Sequence, residues 1–186
     1  MDCSVNVEAK LKSYVSGRRY EHSLGTMETA AGLAGRYGCS VRKARLAGLL
    51  HDVARDFSLE RMEKILGDRV EEFSPVFRTS LLMHAPVGGI IARRDFGIED
   101  KDVIRSIELH TTGGPSMTIL NKVLFVADFI EPGRRFRGVR TARRLAFRNI
   151  DESMAYILTF TLRKLLLRQA PIFDVTCSAY NEYAVR

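Results

Sequence analysis

Residues 47–57 read "AGLLHDVARDF". Small and aliphatic side chains recur there at helical spacing, so the stretch predicts a buried helix, yet His51 and Asp52 stand side by side in the middle of it. Two proton-binding groups in an apolar run cost free energy unless partners satisfy them. Outward from this pair, almost every segment carries a helical period and no run alternates apolar and polar residues convincingly. The fold class is therefore read as all-α.

The punctuation supports that reading. A first amphipathic helix is expected near residues 4–15, and a second through "RRYEHSLGTMETAAGLAGRYG" to a stop at Gly38. Gly25, Ala30, Ala31, Ala34 and Gly35 would let a neighbour come close to it. Ser40 can cap the helix holding the opening stretch, and Ser58 caps "LERMEKIL", ended by Gly67. Pro86 suits the first turn of a helix ended by Gly97, which puts His84 just ahead of it. "DKDVIRSIELHTTGGP" sets His110 at a helix C-terminus, and "TILNKVLFVADFIEPG", capped by Thr118, sets Asp128 in a last turn. Helices over 139–148 and 151–169 precede a less regular tail.

With 186 residues, 46% of them hydrophobic, the chain is long enough for one sizeable core, and 1–186 is taken as a single domain. No apolar run nears the roughly 20 residues of a membrane span, and the N-terminus lacks the layout of a signal peptide, so a cytoplasmic protein is expected. Cys3, Cys39 and Cys177 have no paired spacing and read as reduced structural thiols. A net charge of +7 favours an anionic partner without choosing it. In the arginine-rich stretch 134–148, Arg140, Arg144 and Arg148 share one helical face and read as solvated, while one or two near its start could clamp phosphate.

The chain has only four histidines, His22, His51, His84 and His110, each on or beside a different helix. Together with Asp52 and Asp128 they make six ionisable groups, most of them facing a shared core. Burying these separately requires six sets of partners, whereas one divalent metal satisfies several neutral imidazoles and carboxylates at once. An adjacent His-Asp pair diverges by about 100° around a helix and reaches one ion only close to the backbone. Such a set leaves coordination positions open, which is the mark of a catalytic rather than a structural site.

The ordered blocks "EHS", "LLHDVAR", "MHAPVGG", "ELHTTGGPSM" and "FVADFIEPGRRF" resemble the HD-domain superfamily of metal-dependent phosphohydrolases. More narrowly, they resemble the bacterial YqeK-like symmetrical diadenosine tetraphosphate hydrolases, over Arg18 to about Asn181. Arg55 stands where that family commonly has lysine, and "RFRGV" replaces a proline-containing turn. The resemblance implies a compact helical bundle with an HD core at about 18–135 and C-terminal helices and a nucleotide-enclosing tail at about 139–186. It implies His22, His51, Asp52 and Asp128 as metal ligands, with iron the expected ion and manganese, cobalt, nickel and zinc the alternatives. His84 and His110 fall near the phosphates or on a second metal. Arg55, Thr111 and Arg134 face the phosphate end, and the backbone of Ile172 and Phe173, in "APIFDVT", faces the base and ribose. A dinucleoside polyphosphate substrate, ADP as product and a compatible homodimer follow from the same resemblance.

The metal-site residues alone leave other nucleotides open: a nucleoside monophosphate, a deoxynucleoside triphosphate or a guanosine alarmone. Cyclic dinucleotides are disfavoured by the lack of a GYP triplet. A non-catalytic basic nucleotide- or RNA-binding helical module is the rival from another class. Against it, no ligand of the set is missing, and the sequence offers charge but no recognised RNA module and no exposed aromatic platform.

Overall fold

A computed structural model describes residues 3–184, which are helical with no strand among them. Ten α-helices follow in order: α1 Cys3–Leu11, α2 Gly17–Tyr37, α3 Val41–Leu50, α4 Leu59–Leu66, α5 Ser80–Phe96, α6 Lys101–Leu109, α7 Ile119–Ile130, α8 Val139–Ala146, α9 Ile150–Leu167 and α10 Asp174–Tyr183. Two 3-10 turns, Gly67–Glu72 and Pro75–Phe77, link α4 to α5.

The core is built around α7, where Val123, Leu124, Val126 and Ala127 are fully buried. Its N-terminus is fixed by a capping box in which the Thr118 hydroxyl accepts from Asn121 N and the Asn121 side chain accepts from Thr118 N. Asn121 Nδ2 also donates to Ser106 Oγ at 2.8 Å, tying α7 to α6. This double anchoring fixes the rotation of α7 and hence the direction of Asp128, two turns further on.

The close approach of α2 to its neighbour does not run through Gly35, beside which there is open space. It runs through Gly48 on α3, where an added Cβ would lie 2.7 Å from Met27 Cα. That obstacle is backbone and cannot rotate away. Gly48→Ala is accordingly expected to destabilise the fold by about 1–3 kcal/mol, seen as a lower denaturant midpoint at unchanged slope.

Three sequence expectations are corrected. The His-Asp pair is not in mid-helix: α3 ends at Leu50, and the chain then tightens through bonds from Val53 N to Leu50 O and from Arg55 N to Asp52 O. His84 does not precede its helix. α5 starts at Ser80 and carries Pro86 in its interior, where the ring cannot supply an N–H to the Leu82 carbonyl. The tail is not irregular either, since α10 buries Thr176, Ala179 and Tyr183 along one face. The arginine reading holds in part: Arg140, Arg144 and Arg148 are exposed, but Arg143 turns inward to cap the carbonyls of Ile130, Glu131 and Arg134.

Candidate functional site

Five helices deliver the six groups to one place. α2 carries His22, the turn after α3 carries His51 and Asp52, α5 carries His84, the end of α6 carries His110, and α7 carries Asp128. His22 Nε2 lies 2.9 Å from Asp128 Oδ1 and 3.1 Å from His51 Nε2. His84 Nε2 lies 3.0 Å from His110 Nε2. Between the two imidazole pairs stands Asp52. Its Oδ2 is 3.5 Å from His22 Nε2 and 3.4 Å from His51 Nε2, while its Oδ1 is 3.1 Å from His84 Nε2 and 3.6 Å from His110 Nε2.

The other ring nitrogens decide what this cluster can hold. His51 Nδ1 donates to the Gly48 carbonyl at 2.7 Å, His84 Nδ1 to that of Ser80 at 3.0 Å, and His110 Nδ1 to that of Ile107 at 2.7 Å. His22 Nδ1 donates to Glu131 Oε1 at 3.1 Å. A carbonyl only accepts, so Nδ1 carries the hydrogen and the neutral ring turns a lone pair inward at Nε2. Within each pair, two lone pairs then face one another at about 3 Å, flanked by carboxylates. Such a geometry calls for a cation, and the outer hydrogen bonds are those that orient metal-bound imidazoles. Donor atoms of His22, His51 and Asp128 lie within 4.8 Å of one another, as do those of His51, Asp52 and His110. The residues fit one transition metal, and the split of Asp52 between two pairs has the form of a bridge between two.

The charges agree with this. Burial works against a charged Asp52, but His51, His110 and His84 hold it well below the usual carboxylate range. Asp128 is likewise held low against its burial by His22, His51 and Arg134. Burial opposes a charged His51, yet Asp52 and Asp128 push its pKa up to about 10. His84 is pulled down, chiefly by burial, with His110 and Arg55 adding to the effect against Asp52. The centre thus gathers positive charge around two fixed carboxylates.

Three participants were not read from the sequence. Arg19 Nη1 meets Asp52 Oδ2 at 2.6 Å; its place one turn before His22 on α2 was the available signal. Glu131 is buried and accepts from His22 through one oxygen and from Gly133 N through the other. Phe129, which has no signal beyond its place in the apolar run of α7, borders the central cavity. Glu131→Ala leaves His22 free to turn and is expected to weaken metal affinity about 10- to 100-fold, measured by titrating metal-free protein.

Above the centre opens a cavity of about 230 Å³ lined by Asp52, Arg55, His84, His110, Thr111 and Arg134. Every phosphate-facing residue expected from the sequence is there. Arg134 is held by Asp128, its Nη2 bonding Oδ1 at 2.5 Å and its Nε bonding the backbone carbonyl at 3.0 Å. An adjoining chamber of about 360 Å³ shares Thr111 and Phe129 with this cavity and is walled by Phe77, Ala170, Pro171 and Phe173. Phe173 stacks on Phe73 with centroids 5.7 Å apart and meets Phe77 edge-on, so the tail is strapped to the 3-10 turns. Ile172 is not among the chamber walls.

An all-helical scaffold that converges four imidazoles and two carboxylates on a polar, arginine-rimmed cavity defines a metal-dependent hydrolase. The HD-domain profile matches residues 19–133, which span every proposed metal ligand. The symmetrical bis(5'-nucleosyl)-tetraphosphatase of Halalkalibacterium halodurans is 37% identical over 172 residues, 92% of each chain. That of Bacillus subtilis is 36% identical over 93% of each. A crystal structure from Clostridium acetobutylicum, described as a predicted HD superfamily hydrolase involved in NAD metabolism, superposes with a TM-score of 0.93 at 35% identity, covering 100% of this chain and 98% of the other. The chain belongs to the HD-domain family.

Proposed function

We propose that this chain hydrolyses diadenosine tetraphosphate symmetrically, water attacking an inner phosphorus so that two ADP leave. The observation that carries the reading is the Asp52 carboxylate set between two histidine pairs beneath a cavity rimmed by Arg55, Thr111 and Arg134. The names borne by relatives similar along nearly their whole length add the substrate. In this reading the core at about 18–135 supplies the chemistry, and 139–186 supplies walls for the nucleoside within a single domain.

A metal held by His22, His51, Asp52 and Asp128, and a second near His84 and His110, would supply a water acidic enough to attack near neutral pH and an electrophile for the phosphate oxygens. Iron is the proposed ion, with manganese, cobalt, nickel and zinc as alternatives. The protein's part is positioning. Asp52 accepts from the attacking water and fixes its direction. Arg55, Thr111 and Arg134 donate to the non-bridging oxygens, where charge grows as the bond to ADP breaks. ADP is a stable anion that leaves without a dedicated acid. Ala170, Pro171 and Phe173 hold base and ribose in the aromatic chamber. A free nucleotide substrate, a cytoplasmic setting and a compatible homodimer belong to the same proposal.

Product analysis tests it. Protein reconstituted with each metal in turn is incubated with diadenosine tetraphosphate and the products separated by anion exchange. ADP alone is expected; AMP with ATP would replace the symmetrical reading, and no cleavage with any metal would reject it. Arg134→Ala is expected to raise KM at least about tenfold, the loss of a charge-assisted hydrogen bond, with a smaller effect on kcat. An unchanged KM would return Arg134 to a purely structural role beside Asp128.

A further inference from the structure

A tetraphosphate bridge carries two nucleosides, and the aromatic chamber beside Phe173 holds one. We propose that the second, distal nucleoside lies in the cleft between the α7–α8 connection and α9, a cavity of about 1050 Å³. This rests on the dinucleotide reading above and adds the subsite that reading leaves unassigned. The cleft adjoins the cavity above the metal centre, Phe129 and Arg134 lining both.

Two features suit it to a nucleotide. Its floor is aromatic: Phe136 meets Phe129 edge-on with centroids 4.9 Å apart and tilts against Phe160 at 5.5 Å, while Tyr156 stacks on Phe160. Its rim is basic. Arg137, Arg163, Lys164 and Arg168 line it, and none of their side chains makes an ion pair or hydrogen bond to another described residue. No Asp or Glu lines the cleft. Unpaired cations around an aromatic floor are what a nucleoside polyphosphate requires, with stacking for the base and donors for phosphate. In the cavity of about 960 Å³ past His22, Arg18, Arg19 and Arg134 are offset by Glu21, Glu28, Asp56 and Glu131, so it lacks the uncompensated positive rim of the aromatic cleft. Leu167, 77% exposed at the mouth of the aromatic cleft, gives the base a further apolar surface.

The test compares the full substrate with adenosine 5'-tetraphosphate, which has the same phosphate chain and one nucleoside. In Phe136→Ala and in Arg163→Glu, the KM for diadenosine tetraphosphate is measured, together with the inhibition constant of adenosine tetraphosphate against that reaction. The inhibition constant is readable whether or not the inhibitor is itself cleaved. In Phe136→Ala the expected result is a KM raised about tenfold, the scale of one lost base–aromatic contact, with the inhibition constant moving less than about twofold; in Arg163→Glu, where a phosphate donor is also lost, both constants rise. A KM unmoved in both variants overturns the subsite. So does a parallel shift of both constants in Phe136→Ala, which would mean a disturbed centre. Wild-type protein that releases no ADP from diadenosine tetraphosphate would instead sink the dinucleotide reading itself, a failure visible before any variant is made.

Discussion

Asp52→Asn is expected to lower hydrolysis of diadenosine tetraphosphate at least about a thousandfold and to strip bound metal from the protein, with the helical circular dichroism unchanged. Among the described residues no other has its two oxygens turned to different histidine pairs, at 3.1–3.6 Å from all four Nε2 atoms. The amide keeps the shape and loses both the charge and one acceptor. Whichever way it flips, its NH2 faces one histidine pair and blocks coordination there. In one of the two orientations it also opposes the Arg19 guanidinium, which now meets Asp52 Oδ2 at 2.6 Å. Folding should survive because Arg19 is part-exposed and can turn to water once its partner is neutral. Asp52→Ala should behave alike, and His51→Ala should too, since both remove a donor from the same inner face. Undiminished metal content with retained activity in these variants would refute the proposed centre; retained metal with lost activity would confine Asp52 to orienting the water.

How much of this could be read from the chain depends on which physical signal each residue leaves. Scarce histidines on apolar stripes are legible, because burial of an ionisable group is costly enough to need a reason. The four histidines and Asp128 are therefore found together, with His84 inside α5 and not ahead of it. The end of α3 is not legible. Val53 and Ala54 are fully buried, so the apolar pattern runs on past Leu50 although the backbone has tightened into turns. His51 and Asp52 face one centre because it lies close to the backbone between them, Asp52 Oδ2 standing 3.4 Å from His51 Nε2. The start of α5 was misplaced because a rule about proline at helix starts outweighed the apolar run "LLMHA", whose helix begins at Ser80 and tolerates Pro86 inside it. α10 was missed because its buried face is only three residues wide and Phe173 offers no capping side chain. Arg19 and Glu131 were unreadable for a different reason. Among 29 basic and 22 acidic residues, only the fold shows that Arg19 turns to Asp52 and Glu131 to His22.

Removing the metal is expected to lower the melting temperature by about 8–16 °C and to abolish hydrolysis until metal is returned. The figure follows from linkage. A ligand at about a thousand times its dissociation constant adds about 4 kcal/mol to the folded state, and each kcal/mol moves the midpoint of a chain this size by about 2–4 °C. The effect should be large here because the helices α2, α5, α6 and α7, with the turn after α3, all end their inward side chains on this cluster, so the ion joins elements far apart in sequence. Without it, two imidazole lone pairs face each other between His84 and His110, and the carboxylates depend on a protonated His51 and on Arg19 and Arg134. Scanning calorimetry of chelator-treated protein, repeated with iron, manganese, cobalt, nickel and zinc added singly, measures both parts of the claim. A midpoint indifferent to every metal would remove the metal centre. A shift larger with zinc or manganese than with iron would keep the centre and change its ion, because the same nitrogen and oxygen donors serve all five and only geometry and supply distinguish them.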